Sequence, residues 1–157
     1  MSQPTTAARS IDVDASPAAL YDLVSDVTRM GEWSPECVSC EWQTDTRGVG
    51  ARFKGKNRNG LARWATVAEV QVAEPGREFT FATLYKDAPA TRWTYRIEAT
   101  DSGARLTEEF EAVRTPTLIG LAERTFLRSR QQQLEEGLER TIAAIKSVAE
   151  AQGTPRP

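Results

Sequence analysis

The 157-residue chain contains no histidine. That excludes Ser-His-Asp and Cys-His nucleophilic machinery, a histidine general base, histidine-ligated haem and most catalytic zinc sites. Catalysis, if there is any, rests on carboxylates, Tyr, Arg, Lys, Ser/Thr or bound water. An excess of one charge is also missing: 20 Lys and Arg face 22 Asp and Glu, for a formal net charge of −2. Without a bulk positive field, neither nucleic acid nor an anionic membrane is an expected partner. No apolar run comes near the roughly 20 residues of a membrane span, and the N-terminus lacks a signal-peptide core. The expectation is a cytoplasmic protein. Cysteine is scarce, with two residues in Cys37-Val38-Ser39-Cys40. A zinc site needs two more ligands, which neither Cys nor His supplies. A redox pair favours a helix N-terminus. Here the pair opens a strand, where i and i+3 face opposite sides. Two structural thiols, reduced in the cytosol, are expected, with no metal and no cofactor.

What is present is enough for one domain of ordinary composition, 39% hydrophobic and 27% charged. A core of that size needs no disulfide or metal staple. The domain is expected over residues 7–151, with 1–6 and 152–157 as flexible tails. Arg9–Asp14 alternates as a short strand, Ile11 and Val13 facing one way. Ser16 is an N-cap candidate with Pro17 at the first helical position, and Leu20, Tyr21, Val24 and Val27 follow at helical spacing. A second short helix covers Arg29–Trp33 and stops at Ser34-Pro35.

Six strand-like segments come next: Cys37–Thr44, Ala51–Arg58, Arg63–Val72, Glu78–Tyr85, Thr91–Thr100 and Ala104–Val113. Asn59-Gly60, Glu74-Pro75-Gly76, a Lys86–Ala90 loop and Asp101-Ser102-Gly103 punctuate them. Short links demand an antiparallel meander. From Leu118 to about Ala151 there is no proline, and Leu127, Leu134, Leu138, Ile142 and Ile145 form one stripe on a helix roughly 50 Å long. The fold class is therefore α+β: a seven-stranded curved antiparallel sheet wrapped around a long C-terminal helix, with two short helices after the first strand. A strongly curved sheet cannot touch one straight helix everywhere, so a cavity is expected between them, suited to an apolar ligand.

The chain resembles the START-like helix-grip superfamily (SRPBCC), which includes polyketide cyclases, aromatases, lipid-transfer domains and plant hormone-binding allergens. The likeness covers about residues 7–150. It is carried by S-P-A-A-L-Y-D-L-V-S-D (16–26), E-W-S-P-E-C (32–37), G-A-R-F-K-G-K-N-R-N-G (50–60) before R-W (63–64), A-E-P-G-R-E-F-T-F (73–81) and R-W-T-Y-R-I-E (92–98). It looks most like the polyketide cyclase/dehydrase branch of actinobacteria. The resemblance implies a helix-grip fold; the same fold hosts many functions, and no universal catalytic motif carries over.

Candidate site residues therefore rest on strand alternation. Trp93, Tyr95 and Ile97 share a face, as do Phe79, Phe81 and Thr83 on the strand before, and Trp64, Thr66, Ala68 and Val70 on an earlier one. The plainer reading of each single aromatic is core packing. Trp64, Trp93 and Tyr95 together suggest a part-polar pocket, because a buried indole N–H or phenol needs a partner. Phe53, Gly55 and Asn57 alternate onto one face; Asn57 either lines the pocket or steadies the Asn59-Gly60 turn. Glu108 stands between Leu106 and Phe110, so it is either a buried carboxyl with a raised pKa or a group at a wet mouth. On the helix stripe, Leu127 and Gln131 are expected to face the ligand, while Arg124 either does so or snorkels to solvent. Trp33 either gates the pocket or anchors the short helix, with Glu36 near the mouth. Arg52, Lys54, Lys56 and Arg58 form an outward basic stripe, read as a solvated face balanced by acids on adjacent strands.

The first functional reading is a binding module for a small hydrophobic or aromatic molecule, lipid- or polyketide-like. The second is a polyketide cyclase, aromatase or dehydratase acting without cofactor, metal or histidine, with Glu108 and Tyr95 as candidate catalytic groups. The third is a protein-interaction or toxin-like module, which predicts a filled core. A homodimer is left open beside the monomer.

Overall fold

A computed structural model describes residues 6–113 and 121–153, with side chains placed for 6–113 and 131–152. The first strand, β1 (Thr6–Val13), leads into α1 (Pro17–Ser25). Ser16 Oγ accepts from the Ala19 N–H at 3.1 Å, and Pro17 opens the helix where its missing N–H costs nothing. Asp26 then caps a short 3-10 helix (Val27–Glu32) by accepting from the Thr28 N–H at 3.2 Å. The meander follows: β2 (Cys37–Trp42), β3 (Arg52–Asn59), β4 (Ala62–Glu74), β5 (Glu78–Tyr85), β6 (Ala88–Thr100) and β7 (Gly103–Ala112). The long helix α2 spans Leu121–Gly153.

The seven strands form one antiparallel sheet in the order β1-β7-β6-β5-β4-β3-β2. Strands β1 and β2 are neighbours in the chain but lie at opposite edges of the sheet. The segment between them, α1 and the 3-10 helix, therefore crosses the sheet and closes one end of its inner face. Leu20, Val24 and Val27 from that segment are buried against Phe79, Ile97 and Leu106 in one apolar cluster with Ile142, Ile145 and Ala149 of α2. Burying an aliphatic or aromatic side chain there is worth roughly 1.5–3 kcal/mol each, which is what holds the helices to the sheet.

Helix α2 is also strapped along the β1 edge. Arg9 pairs with Glu135 and Glu139, each at 3.1 Å, and Lys146 donates to the Asp12 carbonyl at 2.8 Å. Exposed pairs of this kind set position more than stability.

Three local expectations are corrected. Strand β1 begins at Thr6, pairing with Glu111, so residue 6 belongs to the sheet rather than to a tail. The expected five-residue loop after Tyr85 is a two-residue turn, Lys86 and Asp87, both at positive φ (52° and 61°). That matches the primed hairpin turns whose twist suits flanking strands, here without the usual glycine. The register shifts between Cys37 and Ser39, so the strand gains a residue and both Cys37 and Cys40 point inward. The bulge overturns the simple parity that had set the two thiols on opposite faces.

Candidate functional site

The inner face of the sheet is built in cross-strand layers. Nearest α1, Phe79 lies opposite Tyr95, and Tyr95 opposite Glu108. In the next layer Phe81 faces Trp93, and Trp93 faces Phe110. In the last, Thr83 faces Thr91. On the other arm Phe53 sits opposite Ala68, Gly55 opposite Thr66 and Asn57 opposite Trp64.

Glu108 is the outlying residue in this wall. Its neighbours on the same face, Leu106 and Phe110, are apolar, and it is only 2% exposed. Burial pushes its carboxyl up to about 8, so at pH 7 it is mostly a neutral acid. Its Oε2 has no hydrogen-bond partner. A buried polar atom left unpaired costs about 1–3 kcal/mol, a cost that a bound polar group would remove.

Tyr95 stands beside it, buried to the same degree. Burial first, and then the Glu108 carboxyl, push the phenol well above its ordinary value, so it stays protonated. The Trp33 indole N–H lies close enough to the Tyr95 hydroxyl to oppose that shift slightly, yet it closes no hydrogen bond of normal geometry and remains unpaired. The Cys37 and Cys40 thiols lie within electrostatic reach of the same phenol. Their mutual contact holds Cys37 below and Cys40 above the ordinary thiol range. One end of the inner wall thus brings together a neutral carboxyl, a phenol and an unpaired indole N–H. All are hydrogen-bond donors in a low-dielectric setting.

Away from α1 the wall becomes half-buried and more polar. Trp93 packs edge-on against Phe110, with ring centroids 4.7 Å apart, and its Nε1 donates to Thr91 Oγ1 at 3.2 Å. The Thr83 and Thr91 hydroxyls bond each other across the strands. Asn57 Nδ2 donates to Thr66 Oγ1 at 3.2 Å, so Asn57 faces the inner wall rather than the Asn59-Gly60 turn. Trp64, beside Asn57 in register, is 40% exposed.

Some predicted residues of this wall are packed as core, and others are drawn away from it. Phe81 is buried between Phe53 and Phe79, at 5.2 and 6.1 Å between centroids, and serves as core. Trp33 is buried in the same cluster as an anchor for the 3-10 helix. Gln131 is drawn to the sheet edge: its Nε2 donates to the Thr6 carbonyl at 3.0 Å and to Glu135 at 3.2 Å. Glu36 Oε1 accepts from Asn59 Nδ2 at 3.1 Å, at the β3–β4 turn. The side chains of Arg124 and Leu127 lie outside the described residues. On the outer face Arg52 pairs with Glu69 at 2.9 Å, as expected of the basic stripe. Lys54, Lys56 and Arg58 have no ion pair among the described residues.

The sequence pattern missed one feature. An open cleft of about 350 Å³ lies beyond the apolar end, lined by Tyr21, Asp22, Asp26, Trp42, Arg47 and Phe79 among others. It contains none of the predicted ligand-binding residues. The Arg47 guanidinium stacks over Trp42 at 4.4 Å and fills part of its rim. Phe79 borders both this cleft and the inner wall, while Glu108, Tyr95 and Trp93 do not line the cleft.

Comparison with known proteins agrees with the architecture. Residues 4–150 match the family model described as polyketide cyclase/dehydrase and lipid transport. A polyketide-cyclase-like protein of Corynebacterium glutamicum is 37% identical, with a TM-score of 0.54 over 96% of this chain and 88% of that one. A START superfamily protein of Mycobacterium smegmatis superposes with a TM-score of 0.73 at 14% identity, covering 94% of this chain and 98% of that one. The di-domain ARO/CYC protein StfQ of the steffimycin biosynthetic pathway gives 0.74 at 15% identity, covering 95% of this chain and 51% of that one. No curated protein matches significantly. Among the described residues no helix is long and apolar enough to cross a membrane.

Proposed function

The chain belongs to the polyketide cyclase/dehydrase and lipid transport family, and from that premise we propose that it binds a small hydrophobic or aromatic molecule between the inner sheet face and α2. The observation that carries this reading is the buried, unpartnered Glu108 Oε2 beside the Tyr95 phenol. A ligand with one carbonyl or hydroxyl at its inner end would satisfy Glu108 and the Trp33 indole. Its apolar body would lie along Trp93, Phe110 and Trp64. Affinity then comes from buried area, at about 25 cal/mol per Å² before ordering costs, and orientation from the polar end. The reduced thiols of Cys37 and Cys40 suit a cytoplasmic setting.

Native mass spectrometry of the purified protein, with denaturing extraction of its bound molecules, tests the reading. A discrete small molecule is expected, lost from Trp93→Ala and weakened in Tyr95→Phe. A wild-type protein that carries nothing, and binds no member of a panel of lipids and flat polycyclic phenols, would sink it.

A second reading, cyclase or dehydratase chemistry, is favoured by the convergence of two proton-bearing groups in one layer. In that reading the inner face would fold a poly-β-carbonyl chain so that two carbons meet, and proximity would supply much of the rate. The Tyr95 phenol would hydrogen-bond an enolate oxygen, and Glu108 would move the proton. Turnover of such a substrate by wild type, with Glu108→Gln losing the rate while still binding, separates catalyst from carrier.

A further inference from the structure

Beneath the 3-10 helix, three sulfur atoms converge that the ligand reading does not use. Cys37 Sγ and Cys40 Sγ are 3.4 Å apart, and Cys40 Sγ is 3.9 Å from Met30 Sδ. All three residues are at least nine-tenths buried. The β2 bulge turns both thiols inward, and the 3-10 helix lays Met30 over them. That helix is seated closely: a Cβ at Gly31 would lie 3.0 Å from the Val38 carbonyl oxygen.

We propose that Met30, Cys37 and Cys40 form a binding site for a soft monovalent cation of the Cu(I) class. Two thiols and a thioether are the donors that favour such an ion over hard cations. Among the described residues no three His, Cys, Asp or Glu side chains are placed to hold a metal, so the donor set does not suit tetrahedral zinc, calcium or magnesium. The spacing fits as well. Three sulfurs in a plane around one ion, at the ~2.3 Å typical of a metal–thiolate bond, lie roughly 4 Å apart. The two contacts of Cys40, at 3.4 Å to Cys37 and 3.9 Å to Met30, are each within about 0.6 Å of that spacing. Binding forms metal–sulfur bonds and releases the thiol protons to solvent. The ion arrives as Cu(I) and leaves as Cu(I), so no electron is transferred. Entry requires a local opening of the 3-10 helix, and short 3-10 segments are weakly held.

The test is an anaerobic titration of the reduced, full-length protein with Cu(I) held by the chelator bicinchoninate. One equivalent of copper is expected to pass to the protein. Cys37→Ser and Cys40→Ser are expected to abolish the transfer. Met30→Leu, which preserves core volume, is expected to keep the far-UV circular dichroism and to weaken retention by at least about tenfold, the scale on which even outer partners tune metal sites. X-ray absorption of the loaded protein should show sulfur neighbours alone. Three results would each overturn the proposal: a folded wild type that takes no copper, a Met30→Leu variant that holds it as tightly, or a protein whose Cys37 and Cys40 stay locked as a disulfide under reductant.

Discussion

Along β5, β6 and β7 the inner face changes character within a few residues. At the α1 end, Ile97 and Leu106 are buried in one cluster with α1 and the C-terminal half of α2, and Phe79 joins them while also bordering the open cleft. At the other end, Thr83, Thr91 and Trp93 are half-buried and bond one another through hydroxyls and an indole N–H. Glu108 and Tyr95 stand on the border between the two. The strands and their alternation are the same throughout, so the difference comes from what covers them. Where two helices press on the sheet, side chains interlock at close to crystal density. Farther from α1, the wall carries polar groups that pair with each other. Core at one end gives the molecule its stability, and in the proposed function the border layer supplies the chemistry.

The largest expected contrast is in stability. Phe81→Ala removes a ring packed against Phe53 and Phe79 and should cost about 3–5 kcal/mol in urea unfolding, since the cavity cannot collapse. If Phe81 instead lined an open pocket, the loss would be much smaller, and the boundary between core and wall would move toward α1.

Next comes the border layer. Glu108 is about 8 folded against an ordinary 4.5, so the folded state binds the extra proton. The stability it permits is fully present below pH 4.5 and is lost as pH rises from there to about 8. At about 1.4 kcal/mol per unit, wild type should lose roughly 3 kcal/mol between pH 5 and 7 that Glu108→Gln retains. Asp12 and Glu150, held low by hydrogen bonds from Arg105 and Lys146, act with the opposite sign. The informative quantity is therefore the difference between wild type and variant at each pH. A flat difference would mean that Glu108 is hydrated and charged.

Much of this contrast is legible in the sequence. Period-two alternation places Trp93, Tyr95, Phe79 and Glu108 on one face, and Ser16-Pro17 marks the start of α1. The helix-grip topology follows from strand count, short links and one proline-free helix. Three things escape such reading. A bulge between Cys37 and Ser39 adds a residue and reverses the parity of everything before it, with no local marker in Val38 or Ser39. Gln131 interrupts an apolar stripe but bonds to a backbone carbonyl of β1, a partner that periodicity cannot foresee. Phe81 and Trp93 face each other and look equivalent, yet Phe81 is buried between Phe53 and Phe79 while Trp93, packed against Phe110, stays half-buried.

Trp93 therefore sharpens the comparison from the wall side. Trp93→Ala forfeits the edge contact with Phe110, worth about 0.5–1.5 kcal/mol beyond area, and partly exposed surface besides. Its stability cost should be clearly less than that of Phe81→Ala, while ligand retention in native mass spectrometry falls sharply. Equal stability costs for the two variants would mean that the wall is filled core and the molecule has no open end.

The smallest effect belongs to Asn57. Its amide donates to Thr66 on the neighbouring strand, in a part-buried position that water can reach. Asn57→Ala removes one neutral hydrogen bond, and the Thr66 hydroxyl left behind can bond to water, so the loss should stay near the net value of about 0.5–1.5 kcal/mol or below. The same substitution strips the far end of the wall of the side-chain amide of Asn57. A ligand whose polar groups sit only at the Glu108 end should bind Asn57→Ala as it binds wild type. A ligand with a second polar group roughly spanning the face should lose about tenfold, the factor that 1.4 kcal/mol represents. Measuring affinity and unfolding on this one variant thus reads the length of the bound molecule, because stability stays nearly constant while binding reports whether the ligand reaches that far.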